Sequence, residues 1–432
     1  VIPTTDIVAT GTPTGWRTVP FWFLFRRQKE TGFPEEELLS VYRDYGVIPK
    51  SSRDDNHNKE SEDLSGYQLV TEGALVTNKM KAWQGSIAIS RYRGIVSPAY
   101  YVYTPQSDEC DQFLHYLLRS TPYIGLYGRI SKGVRVNQWD LEHEALRNIP
   151  VLLPDVTAQR AIADFLDRET ARIDVLIEKK QRLVALLGEK YEATAAQLST
   201  GKLSQEEKYD SGIDWLGDIP KSWSVEKLSW HFYAAKGKDA QKYTKEYCGA
   251  NEGDYPVYSG QTANEGVMGR IETYDYDFGE TGVLFATTVG AKAMDLRHLK
   301  GKFSLSQNCM IIIPRHQISL QFYLYQMRVL FRKERQLIPD HMQASFRVED
   351  LYQYRIALPP LDQASAIGMR IQREEEALKR VVQPVTTSID RLKEYRSALI
   401  TVAVTGQINV AEWGKAGTNE RQLDAIQAEM DA

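Results

Sequence analysis

Hydrogen-bond donors that also carry positive charge gather at several points of this chain. Lys79, Lys81, Gln84, Arg91 and Arg93 share one short stretch, and Ser131-Lys132-Gly133-Val134-Arg135-Val136-Asn137-Gln138 makes a second basic, polar run. Lys236-Gly237-Lys238, Tyr258-Ser259-Gly260-Gln261, Lys292, Lys300-Gly301-Lys302 and His341-Met342-Gln343 are comparable further on. Lys and Arg suit phosphate oxygens, and Arg, Lys, Asn and Gln reach the edges of bases in a groove. Solvated surface loops carry the same residues, and a formal charge of −4 leans against a generally basic binder. Trp83 and Tyr100, close to the first set, read as core side chains rather than stacking platforms.

Catalytic patterns are missing. The chain has no GxxxxGK[ST] phosphate loop, no HExxH and no Cys/His cluster. Asp277-Phe278-Gly279 spells a kinase triplet without the glycine-rich and HRD loops that would give it meaning. The histidines are scattered, and no tetrapeptide of the kind that surrounds a flipped base in amino-methyltransferases occurs. The balance points to binding, with no catalytic residue and no metal site expected.

The elements that must position these donors are written twice. Leu153-Pro154 answers to Leu358-Pro359, Ile162 to Ile367 and Thr200-Gly201 to Thr405-Gly406, and 358−153, 367−162 and 405−200 all give 205. Gln112-Phe113, Tyr116 and Arg119 match Gln321-Phe322, Tyr325 and Arg328, and Pro13 and Trp16 match Pro220 and Trp223. So long a period marks a duplicated domain, not a solenoid. Each half opens with short alternating runs that read as strands, among them 85–90, 99–103, 283–286 and 309–313. Residues 112–119 and 321–332 read as helices, and 51–65 as a polar loop.

Each half ends in a long amphipathic helix. Ile371, Leu378, Val385, Leu392 and Leu399 recur every seven residues, with Ile367, Val381, Tyr395 and Val402 on a second stripe. Ile162, Leu166, Ile173, Leu176, Leu183 and Leu187 form the matching seam of the first helix, interrupted by Lys180 and Thr194. Equal lengths predict antiparallel pairing of the two helices; the alternative packs each on its own globular half. Pro384 predicts a kink or short break near 380–384. Gly201 and Gly406 are expected as C-terminal caps.

At 432 residues the chain is long enough for two globular cores. Three cysteines, Cys110, Cys248 and Cys309, without CxxC spacing read as free thiols in a reducing compartment. No leader opens the sequence and no apolar run reaches membrane-spanning length, so a cytoplasmic location with no membrane partner is expected.

Longer motifs narrow the reading. Ser211-Gly212-Ile213-Asp214-Trp215-Leu216-Gly217-Asp218-Ile219-Pro220 with Trp223 resembles the signature that opens a target-recognition domain in type I restriction–modification specificity subunits. Leu358-Pro359-Pro360-Leu361-Asp362-Gln363 is similar to the start of that family's conserved helix. Phe165-Leu166-Asp167, Thr170, Ile173-Asp174, Leu176-Ile177 and Lys180 resemble its body, and Ala403-Val404-Thr405-Gly406 its end. Residues 78–86 and 94–100 resemble a recurrent core of the recognition domains. Pro384, the shift of Gln159 against Gln363, and the tail after Val410 depart from the pattern.

The resemblance implies an α+β fold: two mixed α/β target-recognition domains joined by two long antiparallel coiled-coil helices, with a pseudo-two-fold internal repeat. The expected boundaries are 1–156, 157–203, 204–360, 361–410 and a tail at 411–432. It implies a non-catalytic subunit that reads a split, asymmetric site on double-stranded DNA. Its partners would be two methyltransferase subunits and the restriction–translocase subunits, and S-adenosylmethionine and ATP would belong to those partners rather than to this chain. The DNA-contact candidates are Lys79, Lys81, Gln84, Arg91, Arg93, Lys132, Arg135, Asn137 and Gln138 in the first half. In the second they are Lys236, Lys238, Gln261, Lys292, Lys302, His341 and Gln343. The seam residues Ile162, Leu166, Ile173, Leu176, Leu183, Leu187, Ile371, Leu378, Val385, Leu392 and Leu399 are the candidates for partner-binding helix surface.

Overall fold

The computed structural model describes residues 13–53, 61–135, 138–261, 263–290, 292–339 and 342–413. Two compact units emerge, residues 1–182 with 384–432, and residues 183–383. The fold is mixed α+β. Each unit contains a four-stranded antiparallel sheet of the same strand order. In the first unit the order is Phe25–Gln28, Tyr100–Pro105, Leu75–Asn78, Ile87–Ile89. In the second it is Phe232–Lys236, Cys309–Pro314, Val283–Thr287, Leu296–Leu299. The runs are rich in Val, Ile, Phe and Tyr, which suit a pleated and largely buried surface. The second unit adds a mixed sheet in which Glu252–Tyr258 pairs in parallel with Lys302–Leu305.

Four helices matter for function: α1 (Asp111–Leu118), α2 (Val156–Ser199), α3 (Leu320–Gln336) and α4 (Leu361–Val404). Both α2 and α4 have 44 residues, and their starts differ by 361−156 = 205. The strand before each helix pairs with an early strand of the same unit: Pro150–Leu153 with Arg17–Pro20, and Arg355–Leu358 with Ser224–Lys227.

Each unit contains a segment of both long helices and bridges the two. Arg396 of α4 donates to both carboxylate oxygens of Asp174 on α2, at 2.8 and 3.0 Å, within the first unit. In the second unit a hydroxyl chain runs from Tyr191 of α2 through Tyr325 to Glu375 of α4. Each helix stops on a glycine in the left-handed region, Gly201 at φ +74° and Gly406 at φ +71°. Lys202 N–H reaches the Gln197 carbonyl and Gln407 N–H the Val402 carbonyl, the six-residue closure of a Schellman cap.

Three expectations need correcting. Of the kink or short break expected near 380–384, the break does not occur, because α4 runs on through Pro384. A proline inside a helix costs about 3 kcal/mol, but buried Val385, Ile389 and Leu392 just beyond it hold the following turns in place. The seam is not free partner surface: Ile162, Leu166, Ile173, Ile371, Val385, Leu392 and Leu399 are buried within this chain, and Leu176, Leu187 and Leu378 are half-buried. Two seam positions instead face solvent, Leu183 at 45% and Val381 at 53% exposure. On α2 the buried stripe runs Ile173, Ile177, Lys180, which turns position 183 outward.

Candidate nucleic-acid interface

In the second unit the strand Phe232–Lys236 ends beside the turn before Cys309 and the loop after Thr287. These chain ends frame an open cleft of about 900 Å³. Buried Thr288, Ser306, Cys309 and Phe346 form its floor. The exposed rim carries Lys236, Lys238, Gln241, Lys242, Gln307, Asn308 and Arg347. Four cations, Lys236, Lys238, Lys242 and Arg347, face two carboxylates, Asp239 and Glu349, so the lining is net positive.

The local sequence explains the shape. An ideal Cβ on Gly237 would lie 2.2 Å from the Leu305 carbonyl oxygen, so only glycine lets this segment pass. Asn308 takes φ +64° in the turn into Cys309, a conformation that asparagine tolerates better than most residues. The far wall is tied on by backbone: Phe346 N–H donates to the Thr288 carbonyl at 2.7 Å and Gly290 N–H to the Ala344 carbonyl at 3.0 Å.

Cations and amides held on a rigid sheet edge are suited to phosphate and base-edge contacts. Covalent chemistry is poorly served there. Burial pushes the Cys309 thiol up to about 12, so it stays protonated and inert. Among the described residues no His/Cys/Asp/Glu cluster gathers the ligands of a metal ion.

The same end of the first unit's sheet is also cationic. Arg27 lies 4.4 Å and the Lys79 ammonium 4.7 Å from the centroid of the Tyr101 ring, a double cation–π arrangement. Lys29 is exposed just beyond the strand that carries Arg27. Burial and the Arg27 charge lower the Lys79 pKa, and its ammonium donates to the Pro98 carbonyl at 2.8 Å. Trp83 and Trp139 pair at 4.8 Å nearby. Trp83 is only half-buried rather than core, whereas Tyr100 packs against the hydrophobic cluster of Leu39, Val76 and Val102.

The structure splits the first predicted cluster. Because Leu75–Asn78 and Ile87–Ile89 run antiparallel, Lys79, Lys81 and Gln84 sit at one end of the pair and Arg91 and Arg93 at the other. Arg91 donates to Gln112 at 2.7 Å and Arg93 pairs with Glu36 at 2.8 Å. Lys132 pairs with Glu142 at 2.8 Å beside a hairpin that joins Ser131–Arg135 to Gln138–Leu141 and carries Arg135 and Gln138. Asn137 and His341 lie outside the described residues.

In the second unit Lys236 and Lys238 meet in the cleft. Lys292 and Gln343 are exposed on the loops that build its wall. Lys302 stands apart, at the far end of its strand and 4.6 Å from the Tyr274 ring. Gln261 spends its amide on the Val267 carbonyl at 2.7 Å. Sequence reasoning missed Arg27, Lys29, Gln241, Lys242, Gln307, Asn308 and Arg347. Lys242 continues the Lys236–Lys238 run, a legible signal; Arg347 is separated from that run by more than a hundred residues and becomes its neighbour only through folding.

Residues 230–380, which contain the whole cleft, match the type I restriction modification DNA specificity domain. A putative type I specificity subunit of Mycoplasma pneumoniae is 40% identical over 83 residues, 19% of this chain and 22% of that protein. The MpnII type I restriction enzyme specificity subunit of the same organism is 26% identical over 152 residues, 35% of this chain and 44% of that one. The alignments thus span less than half the length of these two relatives. A solved chain from a study of assembly and conformational transition in a type I R-M system shares the fold. Its TM-score is 0.59 at 16% identity, over 92% of this chain and 100% of that one. Residues 230–380 thus match a type I DNA specificity domain, and over part of its length the chain is similar to type I restriction–modification specificity subunits.

Proposed function

We propose that the chain is the DNA-reading subunit of its assembly, with each unit reading one part of a split, asymmetric target. The observation that carries this reading is the cleft rimmed by Lys236, Lys238, Lys242 and Arg347 inside the specificity domain. The cationic edge at Arg27 and Lys29 is its counterpart in the first unit. Two related but diverged readers suit two unlike half-sites, whereas a homodimer would read a palindrome. The 205-residue offset between α2 and α4 fits a pseudo-two-fold plan with an antiparallel coiled coil at its centre.

The partner-docking surface in this reading lies on the middle of the long helices. Between Lys180 and Ala195 on α2, and between Ile371 and Val385 on α4, no side chain is fully buried. Leu183, Leu186 and Val381, all in the second unit, are each more than 40% exposed within these stretches. Exposed apolar residues on adjacent helical turns suit a protein partner, here two methyltransferase subunits, with the restriction–translocase subunits joining the same assembly. Catalysis would rest with those partners, which supply the S-adenosylmethionine and ATP chemistry. No helix among the described residues is long and apolar enough to cross a membrane.

Methylome sequencing of cells that carry this chain with its methyltransferase tests the reading. A methylated motif in two parts, separated by a fixed unspecified gap and lost when the chain is deleted, is the expected result. A contiguous or unchanged motif would refute it.

A further inference from the structure

One repeated motif remains unexplained by DNA contact. Gln112-Phe113-x-x-Tyr116-x-x-Arg119 on α1 returns as Gln321-Phe322-x-x-Tyr325-x-x-Arg328 on α3. Its three larger side chains reach in three directions, and they do so alike in both units.

The phenylalanine packs edge-on against a tryptophan. Phe113 meets Trp16 at 6.2 Å, and Phe322 meets Trp223 at 5.7 Å. That tryptophan in turn covers the glycine that ends a long helix: an ideal Cβ on Gly406 would lie 2.9 Å from Trp16, and one on Gly201 would lie 3.2 Å from Trp223.

The tyrosine hydroxyl reaches the other long helix. Tyr116 donates to Asp167 of α2 at 2.7 Å and lies 3.2 Å from Thr170. Tyr325 donates to Glu375 of α4 at 2.5 Å. Thr170 and Glu375 stand at the same register, 375−170 = 205.

The arginine turns back to the sheet. Arg119 donates to the Ile87 carbonyl at 3.3 Å and to the Arg43 carbonyl at 2.6 Å. Arg328 donates twice to the Leu296 carbonyl, at 3.1 and 3.3 Å. Ile87–Ile89 and Leu296–Leu299 are the equivalent edge strands of the two sheets. One short motif therefore ties an edge strand, the end of one long helix and the side of the other.

We propose that this repeated helix is a brace that sets each reading sheet on the long helices, and that the Tyr116 and Tyr325 hydroxyls are positioning residues for DNA reading. The proposal rests on the split-target reading above. A hydroxyl aimed at a carboxylate fixes direction as well as distance. Losing it leaves the packed ring in place while freeing the sheet to rock on its support, so a target with the wrong gap is rejected less strictly.

The test uses the full chain with its methyltransferase, well below the melting temperature, and duplexes carrying the methylome-derived target. Affinity is compared between the native gap and a gap lengthened by one base pair. Tyr116→Phe and Tyr325→Phe should each reduce the discrimination between the two duplexes by about tenfold, the equivalent of one hydrogen bond to a charged group. Glu375→Gln, which keeps an acceptor for Tyr325, should retain discrimination, and Glu375→Ala should behave as Tyr325→Phe. If a Tyr variant fails to fold, the contrast between the two Glu375 variants carries the test. Unchanged gap discrimination in folded variants with a lowered melting temperature would make the hydroxyls merely structural and overturn the inference. A wild-type complex without gap preference would refute the split-target reading itself, and the brace proposal with it.

Discussion

Neutralising the cleft should change how DNA binding responds to salt. Each cation that displaces a counterion from duplex DNA steepens the slope of log K against log salt by about 0.9. The rim offers four, Lys236, Lys238, Lys242 and Arg347, so their joint contribution is at most about 3.6. Over a fourfold rise in salt each contact costs about 3.5-fold in affinity, and the four together cost about 150-fold. Lys238 should contribute least, because its ammonium already donates to the Asp275 carbonyl at 3.1 Å. Fluorescence anisotropy with a target duplex at several KCl concentrations reads the slope directly. Single Lys→Gln changes at 236 or 242 should make it shallower by about 0.9 each, and the quadruple variant by up to about 3.6. Lys79→Gln is the contrasting control. Its ammonium is half-buried on the Pro98 carbonyl, so its removal should lower stability more than slope. A quadruple variant with unaltered melting temperature and an unaltered slope would show that the cleft does not meet phosphate.

Three further outcomes are expected. Gly406→Ala and Gly201→Ala should each destabilise the fold by roughly 2–3 kcal/mol in urea unfolding, since each adds a Cβ to a left-handed residue already pressed by Trp16 or Trp223; a change below about 0.5 kcal/mol would mean that the caps relax freely. Burial, then the charges of Arg119 and Arg91, lower the His115 pKa to about 3. The native imidazole therefore stays neutral while the unfolded one gains a proton below about 6.5, so its contribution is full above that pH and is lost on acidification towards 3. His115 keeps an edge on a cleft, so solvent screens part of this, and we expect about 1–2 kcal/mol less stability at pH 5 than at pH 7, a difference that His115→Gln should remove. Leu183→Glu with Leu186→Glu should abolish co-purification with the methyltransferase while leaving urea stability within about 0.5 kcal/mol, because both side chains already face solvent; retained binding would place the docking surface elsewhere.

The sequence by itself determined the elements whose cause is local or periodic. The 205-residue offset, the seven-residue stripes and the Thr-Gly stops located α2 and α4, because helix periodicity and capping depend on residues a few positions apart. Alternating Val, Ile and Tyr located the central strands for the same reason. Tertiary structure alone decided which residues became neighbours. It carried Arg347 to Lys236 and Arg27 to Lys79, and it separated Arg91 from Lys79 by running their strands antiparallel. It also settled two contests that local rules leave open. Packing beyond Pro384 outweighed the lost backbone bond, and the stripe through Ile177 and Lys180, rather than a strict heptad, chose which face of α2 was buried and left Leu183 outside. Local helix propensity is worth less than about 1 kcal/mol for an ordinary residue and about 3 kcal/mol for proline, and the burial of a single large apolar side chain is worth about 1.5–3 kcal/mol. Where the two conflict, the partner across the interface decides, and that partner lies far away in sequence.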